Sequence, residues 1–194
     1  MNSPTIFPVS IPSSWLDLTA CSHTTAHLQN WLLDSGSLTE KLIASCTHFH
    51  LTVIGEDRSS ITIDEFQQVS HLGTQLVEQD WLVREVILWG DGKPWVFARS
   101  IIPVELWQRD FVGLNDKPLG QLIFNDARFK RMPFQLTQID DSEAFLKQLN
   151  MSGSEVLWGR RSTFKFEHLK MMVCEVFLPD SPAYQTMRQI NHAT

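Results

Sequence analysis

Apolar runs arranged in two pairs dominate the chain. Trp81–Trp89 and Pro94–Ile102 flank Gly90-Asp91-Gly92-Lys93, and Asp-Gly between such runs is a strong short-range hairpin signal. Val156–Phe166 and Met171–Leu178 flank Glu167-His168-Leu169-Lys170 and predict a second hairpin, stopped by Pro179 and Pro182. Upstream, Thr47–Gly55 alternates Thr47, Phe49, Leu51 and Val53 with His48, His50, Thr52 and Ile54, the period of a strand. A further strand is expected over Arg128–Ile139. Between the strands, Leu28, Trp31 and Leu32 share one face of a helix over Ala26–Leu33. Ser37-Leu38-Thr39-Glu40 has the spacing of a capping box opening a helix that runs to Ser45. Pro118 starts a short helix through Phe124. Residues 64–79 and Ser142–Asn150 complete the helical segments. The pattern predicts the α+β class: a single antiparallel β-sheet, of about six strands, covered by helices.

The 194 residues suffice for one domain. Residues 1–22, rich in Pro, Ser and Thr, read as an irregular arm, 23–184 as the domain, and 185–194 as a flexible tail. Seven Trp and twelve Phe against one Tyr point to a core or cavity lined by large rings. A net charge of −6 argues against nucleic acid as a partner, but leaves an anionic small molecule open, because its binding depends on local charge. Cys21, Cys46 and Cys174 lack CxxC spacing and read as reduced thiols. With no signal-peptide pattern and no apolar run of about 18 residues, a cytoplasmic protein without a membrane span is expected, and a monomer is preferred.

Two charges stand out because of their surroundings. Glu175 is the only charged residue in Met171–Pro179, and Arg84 sits in the apolar run Trp81–Trp89. An ionised group in a buried strand is costly without a partner. Counting outward from the Asp91-Gly92 turn sets Arg84 opposite Arg99, on a face shared with Leu82, Val86 and Leu88. Two guanidinium groups that close need an anion, either Glu175 or a ligand carboxylate, which arginine's planar fork grips bidentately. A structural Arg–Glu pair tying two strands together explains the residues equally well. Other signals are weaker. Cys46, His48 and His50 make an incomplete ligand set, so no metal site is expected. No G-x-S-x-G elbow occurs, Gly90-Asp91-Gly92 is too short to cradle phosphate, and Trp81, Trp89, Trp95 and Trp158 read as core.

Taken together, Trp81–Leu88, Asp91–Trp95, Pro118-Leu119-Gly120, Leu157–Ser162 and Glu175–Pro179 with Ser181-Pro182 resemble, in this order, the chorismate pyruvate-lyase family. The resemblance covers most of residues 28–184. It implies elimination of pyruvate from chorismate to give 4-hydroxybenzoate for ubiquinone biosynthesis, with no cofactor. It also implies that Arg84 grips the ring carboxylate and Glu175 faces the ring hydroxyl, as the catalytic pair. Leu119 and Leu38 would add substrate contacts, Leu38 standing where methionine would be expected. Arg99, Arg160 and Arg161 are candidates for the second, enolpyruvyl carboxylate. An enclosed, arginine-anchored site implies product inhibition and mobile segments near Leu38 and Leu119. The fold also resembles the effector-sensing domain of some bacterial transcription regulators, for which the arm before Ala26 is too short to hold a helix-turn-helix. A lyase forming another hydroxybenzoate isomer is a third reading.

Overall fold

The computed structural model describes residues 6–11, 14–70, 81–114 and 117–185. Among them seven strands form one antiparallel sheet: β1 (Phe49–Arg58), β2 (Trp81–Gly90), β3 (Lys93–Pro103), β4 (Phe129–Arg131), β5 (Gln135–Ile139), β6 (Leu157–Phe166) and β7 (Leu169–Phe177). The order is β1-β2-β3-β7-β6-β4, with β5 also paired to β6. The two long hairpins thus meet in the middle of the sheet through β3 and β7. The helices are α1 (Ala26–Leu32), α2 (Leu38–Ile43), α3 (Ile63–Val69), α4 (Val104–Leu106), α5 (Leu119–Asn125) and α6 (Glu143–Gln148).

Both faces of the sheet are covered, which is why β2 and β3 carry apolar residues on both faces instead of alternating apolar with polar. On one face α1 packs through Trp31 against Phe177, and α5 through Phe124 against Phe164. On the other, α3 packs through Phe66 against Trp81, and α6 through Phe145 against Phe97. The described part of the amino-terminal arm, expected to be irregular, includes a 3-10 helix over Leu18–His23 and is bound into the fold. Leu16 bridges to Leu136, and Val9 and Cys21 are buried. Residues 71–79 of the helix expected over 64–79, and 186–194 of the expected tail, lie outside the described residues.

Local chemistry sets the element ends. Ser37 caps α2 by accepting from the Glu40 N–H, but the reciprocal capping box belongs to Thr62 and Glu65 at α3. The expected strand over Arg128–Ile139 is split into β4 and β5 around Pro133, which has no N–H to give a ladder. Pro118 caps α5 rather than opening it. The second hairpin turns at Glu167-His168, with Glu167 at φ 53°, so Leu169 and Lys170 extend β7. Asp91 and Gly92 both take positive φ, as a two-residue hairpin turn requires.

One register expectation is overturned. Trp89 pairs with Pro94 but Leu88 pairs with Val96, leaving Trp95 as a bulge. Its indole lies over Gly90, where an added Cβ would come within 2.2 Å of the ring, and it is buried. Accommodating that ring slips the ladder by one residue, which moves every later side chain to the other face. Arg84 therefore pairs with Ser100, and Arg99 with Glu85. The two arginines point to opposite sides of the sheet.

Candidate active site

The same register assembles a row of polar groups on the face beneath α1, α2 and α5. Arg84 opposes Ser100, which opposes Val173. Ala98 opposes Glu175, which opposes Arg160. Arg84 and Glu175 line one cavity, with Ser100, Val173 and Ala98 as its floor. Thr39 of α2, Lys117, and Leu119 and Gly120 of α5 form its roof. The sequence-derived residues Arg84, Leu119 and Glu175 thus come together. Leu38 does not line the cavity; it is buried in the main core, and its neighbour Thr39 takes the lining position. The cavity measures about 40 Å³, room for a few waters rather than for a six-membered ring. A ring seated between Arg84 and Glu175 needs more room than α2 and α5 leave here. The two helices touch where Gly120 meets Thr39, whose Oγ1 would lie 3.0 Å from a Cβ at Gly120.

Arg84, Glu175 and Arg160 each have an ion-pair partner. The Arg84 guanidinium is ion-paired to Glu56 across from it on β1, and its Nη2 donates to the Lys117 carbonyl at 3.3 Å. Glu175 accepts from Arg160 Nε at 2.7 Å through one carboxylate oxygen. Arg160 is fully buried, and its Nη1 donates to the carbonyls of Trp31 at 2.9 Å and Asp34 at 2.8 Å, just beyond α1. Beside it, Arg131 donates to Ser162 Oγ at 2.9 Å and to the Ser35 carbonyl at 3.1 Å. Its guanidinium is stacked among Phe134, Phe124 and Phe164. Burial pulls the Arg131 group down to about 10, so it is still a cation at neutral pH. Glu56, Arg131, Thr39 and Lys117 were not singled out from the sequence. Nothing in their local pattern marks them, since each reaches the site only through strand pairing or helix docking.

Arg99 and Arg161 belong to the opposite face. A larger cavity of about 400 Å³ lies there, lined by both arginines with Trp15, Asp64 and Glu65. Arg99 is gripped by Glu65 at 2.7 Å and by Glu85, and Arg161 by Asp64, with the Trp15 ring 4.3 Å away. Burial pushes the Glu85 carboxyl up, against the opposing effect of the Val9 N–H and Arg99. Desolvation pulls on Arg99, but hydrogen bonds from it to Glu65 and the charges of both glutamates hold it above its usual value. Each cation here is matched by an acid, so size alone does not make this cavity the site of the chemistry. Among the described residues no cluster of His, Cys, Asp and Glu could hold a metal. His50 instead stacks on Trp89.

A family model described as chorismate lyase matches residues 11–189. A protein of Pseudoalteromonas atlantica named probable chorismate pyruvate-lyase is 46% identical over 172 residues, covering 89% of this chain and 90% of that protein. A Shewanella protein of the same name is 37% identical over 158 residues, covering 78% and 80%. Among solved structures, the effector domain of PhnF from Mycobacterium smegmatis aligns with a TM-score of 0.57 at 13% identity, covering 76% of this chain and 91% of that one. At that identity the likeness concerns the fold alone.

Proposed function

Because this chain belongs to the chorismate lyase family, and is accordingly a carbon–oxygen lyase, we propose that it eliminates pyruvate from chorismate and releases 4-hydroxybenzoate for ubiquinone biosynthesis in the cytoplasm. The observation that carries the reading is the convergence of Arg84 and Glu175, from separate hairpins, on one cavity beneath α2 and α5. Two strand spacings and two residues separate their Cα atoms by roughly 12 Å. Two long side chains can span that interval with a substituted ring held between them.

Arg84 grips the ring carboxylate, exchanging its ion pair with Glu56 for the ligand. Glu175, with one oxygen fixed by Arg160, offers the other to the ring hydroxyl. Leu119 packs against the ring from α5, and Leu38 acts by seating the first turn of α2. In the reaction the ether bond between the ring carbon and the enolpyruvyl oxygen breaks, and that oxygen becomes the keto group of pyruvate. The hydrogen on the carbinol carbon leaves and the enolpyruvyl methylene gains one, so the ring becomes aromatic and pyruvate acquires its methyl. Transfer proceeds directly to the methylene or with Glu175 as base. The aromatisation drives the step without a cofactor. What the protein contributes is a reactive conformer held out of water.

Incubating the purified protein with chorismate and identifying the products tests the reading. Pyruvate and 4-hydroxybenzoate in equal amounts are expected. Another hydroxybenzoate would reassign the product, and unchanged chorismate would favour a sensor like the effector domains that share the fold.

A further inference from the structure

Three arginines qualify from the sequence as partners for a second carboxylate, and the sheet register separates them. Arg99 and Arg161 lie on the far face, each engaged by acids. Arg160 lies on the near face, directly opposite Glu175. Its guanidinium is only partly used. Nε is taken by Glu175 and Nη1 by backbone carbonyls, while Nη2 is buried with no hydrogen-bond partner. Nε and Nη2 share the edge of a guanidinium that holds a carboxylate side-on. The orphaned donor therefore lies on the same guanidinium edge as the contact with Glu175, next to the cavity that Glu175 lines but not in its wall. A buried donor without an acceptor is a costly feature in a native fold, and calls for a missing ligand or water.

A second observation points the same way. Arg131 and Arg160 both approach the Phe134 ring, at 4.0 and 4.9 Å. Arg131 makes no ion pair among those of the described residues, and its hydrogen bonds go to Ser162 and the Ser35 carbonyl. Asp34, the next carboxylate, is engaged by Lys41 at 2.7 Å. Glu175 is thus ion-paired to Arg160, and the half-buried Arg131 beside it has no ion pair among the described residues.

We propose that Arg160 and Arg131 form the subsite for the enolpyruvyl carboxylate of chorismate, next to Glu175 and at the opposite end of the site from Arg84. This rests on the lyase reading, under which chorismate is a dianion whose second carboxylate hangs from the carbon beside the ring hydroxyl. A group that places its hydroxyl on Glu175 brings that carboxylate toward Arg160. Both arginines also hold the α1–α2 connection through the carbonyls of Asp34 and Ser35, so lifting that connection opens the subsite. The product lacks this carboxylate and is held only at the Arg84 and Glu175 positions.

Two non-reacting probes test the proposal by calorimetry: 3-(1-carboxyvinyloxy)benzoate, which carries both carboxylates, and 3-methoxybenzoate, which carries only the ring carboxylate. The wild-type protein is expected to bind the diacid at least about tenfold more tightly, the scale of one charge-assisted hydrogen bond. In Arg160→Gln and Arg131→Gln that advantage should fall to about twofold or less, with the methoxy probe changed by no more than about threefold. An undiminished advantage in both variants, or equal losses for both probes, overturns the proposal. Should Arg160→Gln fail to fold, Arg131→Gln and a crystal structure of the wild-type protein with the diacid decide the matter. A carboxylate within hydrogen-bonding distance of Arg160 Nη2 supports the subsite, and one seated on Lys117 refutes it. Probe binding needs no turnover, so absence of chorismate conversion would defeat the lyase reading separately.

Discussion

Replacing Arg99 by Met removes the cation shared by two glutamates on the far face of the sheet. Glu85 is fully buried and Glu65 nearly so, and both bond to this one guanidinium. Breaking a buried ion pair from one side costs about 3–5 kcal/mol, because the remaining charge stays desolvated. For a domain of this size each kcal/mol shifts the melting temperature by about 2–4 °C, so a loss of roughly 6–20 °C is expected at pH 7.5. The pH dependence follows from the raised Glu85 carboxyl. A carboxyl held above its unfolded value binds its proton more tightly when folded. Ionisation therefore removes stability as pH rises between the two values, and protonation restores it. Without Arg99 the folded value moves higher still, so the variant gains more than the wild type on acidification. Differential scanning calorimetry at pH 7.5 and pH 5.0 reads both effects. The gap between variant and wild type should be large at the higher pH and smaller at the lower. A deficit under about 2 °C, or a gap that widens at pH 5.0, would refute the reasoning.

Three further outcomes concern the near face. Arg84→Ala should lower kcat/KM by at least about a hundredfold, the loss of a bidentate charged contact. Lys93→Ala, at the exposed hairpin end, should leave it within about twofold, and equal turnover in both variants would remove Arg84 from the chemistry. Glu56→Gln frees Arg84 from its ion pair and should tighten 4-hydroxybenzoate binding by about threefold to fivefold, measured by calorimetry; weaker binding would mean that Glu56 helps to hold the ligand. Gly120→Ala pushes a methyl against Thr39, should loosen the closure between α2 and α5, and should relieve product inhibition in steady-state assays. Unchanged inhibition would show that this contact does not govern release.

The elements were legible where a single segment carries its own signal. Asp91-Gly92 announces its turn through the positive φ that glycine tolerates, and the two hairpins followed from the apolar runs around their turns. Pairing between segments was not legible, because it depends on residues far apart in the chain. Ala98 meets Glu175 only because β3 and β7 are neighbours, and no local pattern specifies that choice. A single bulge had the larger consequence. Trp95, tucked over Gly90, sends Arg99 to one face and leaves Arg84 on the other. Counting from the turn without it yields two arginines in conflict, where the fold gives each its own acidic partners on its own face. The adjacent pair Arg160-Arg161 makes the same point without a bulge. Neighbours in a strand face opposite ways, so one is buried beside Glu175 and the other belongs to Asp64. Which of them shares the face of Glu175 is decided by the β6–β7 register. The burial of Arg84 and Glu175 was visible because an apolar strand is a statement about environment. Their partners were not, since a charge reveals in sequence that it needs compensation but never where the compensation comes from.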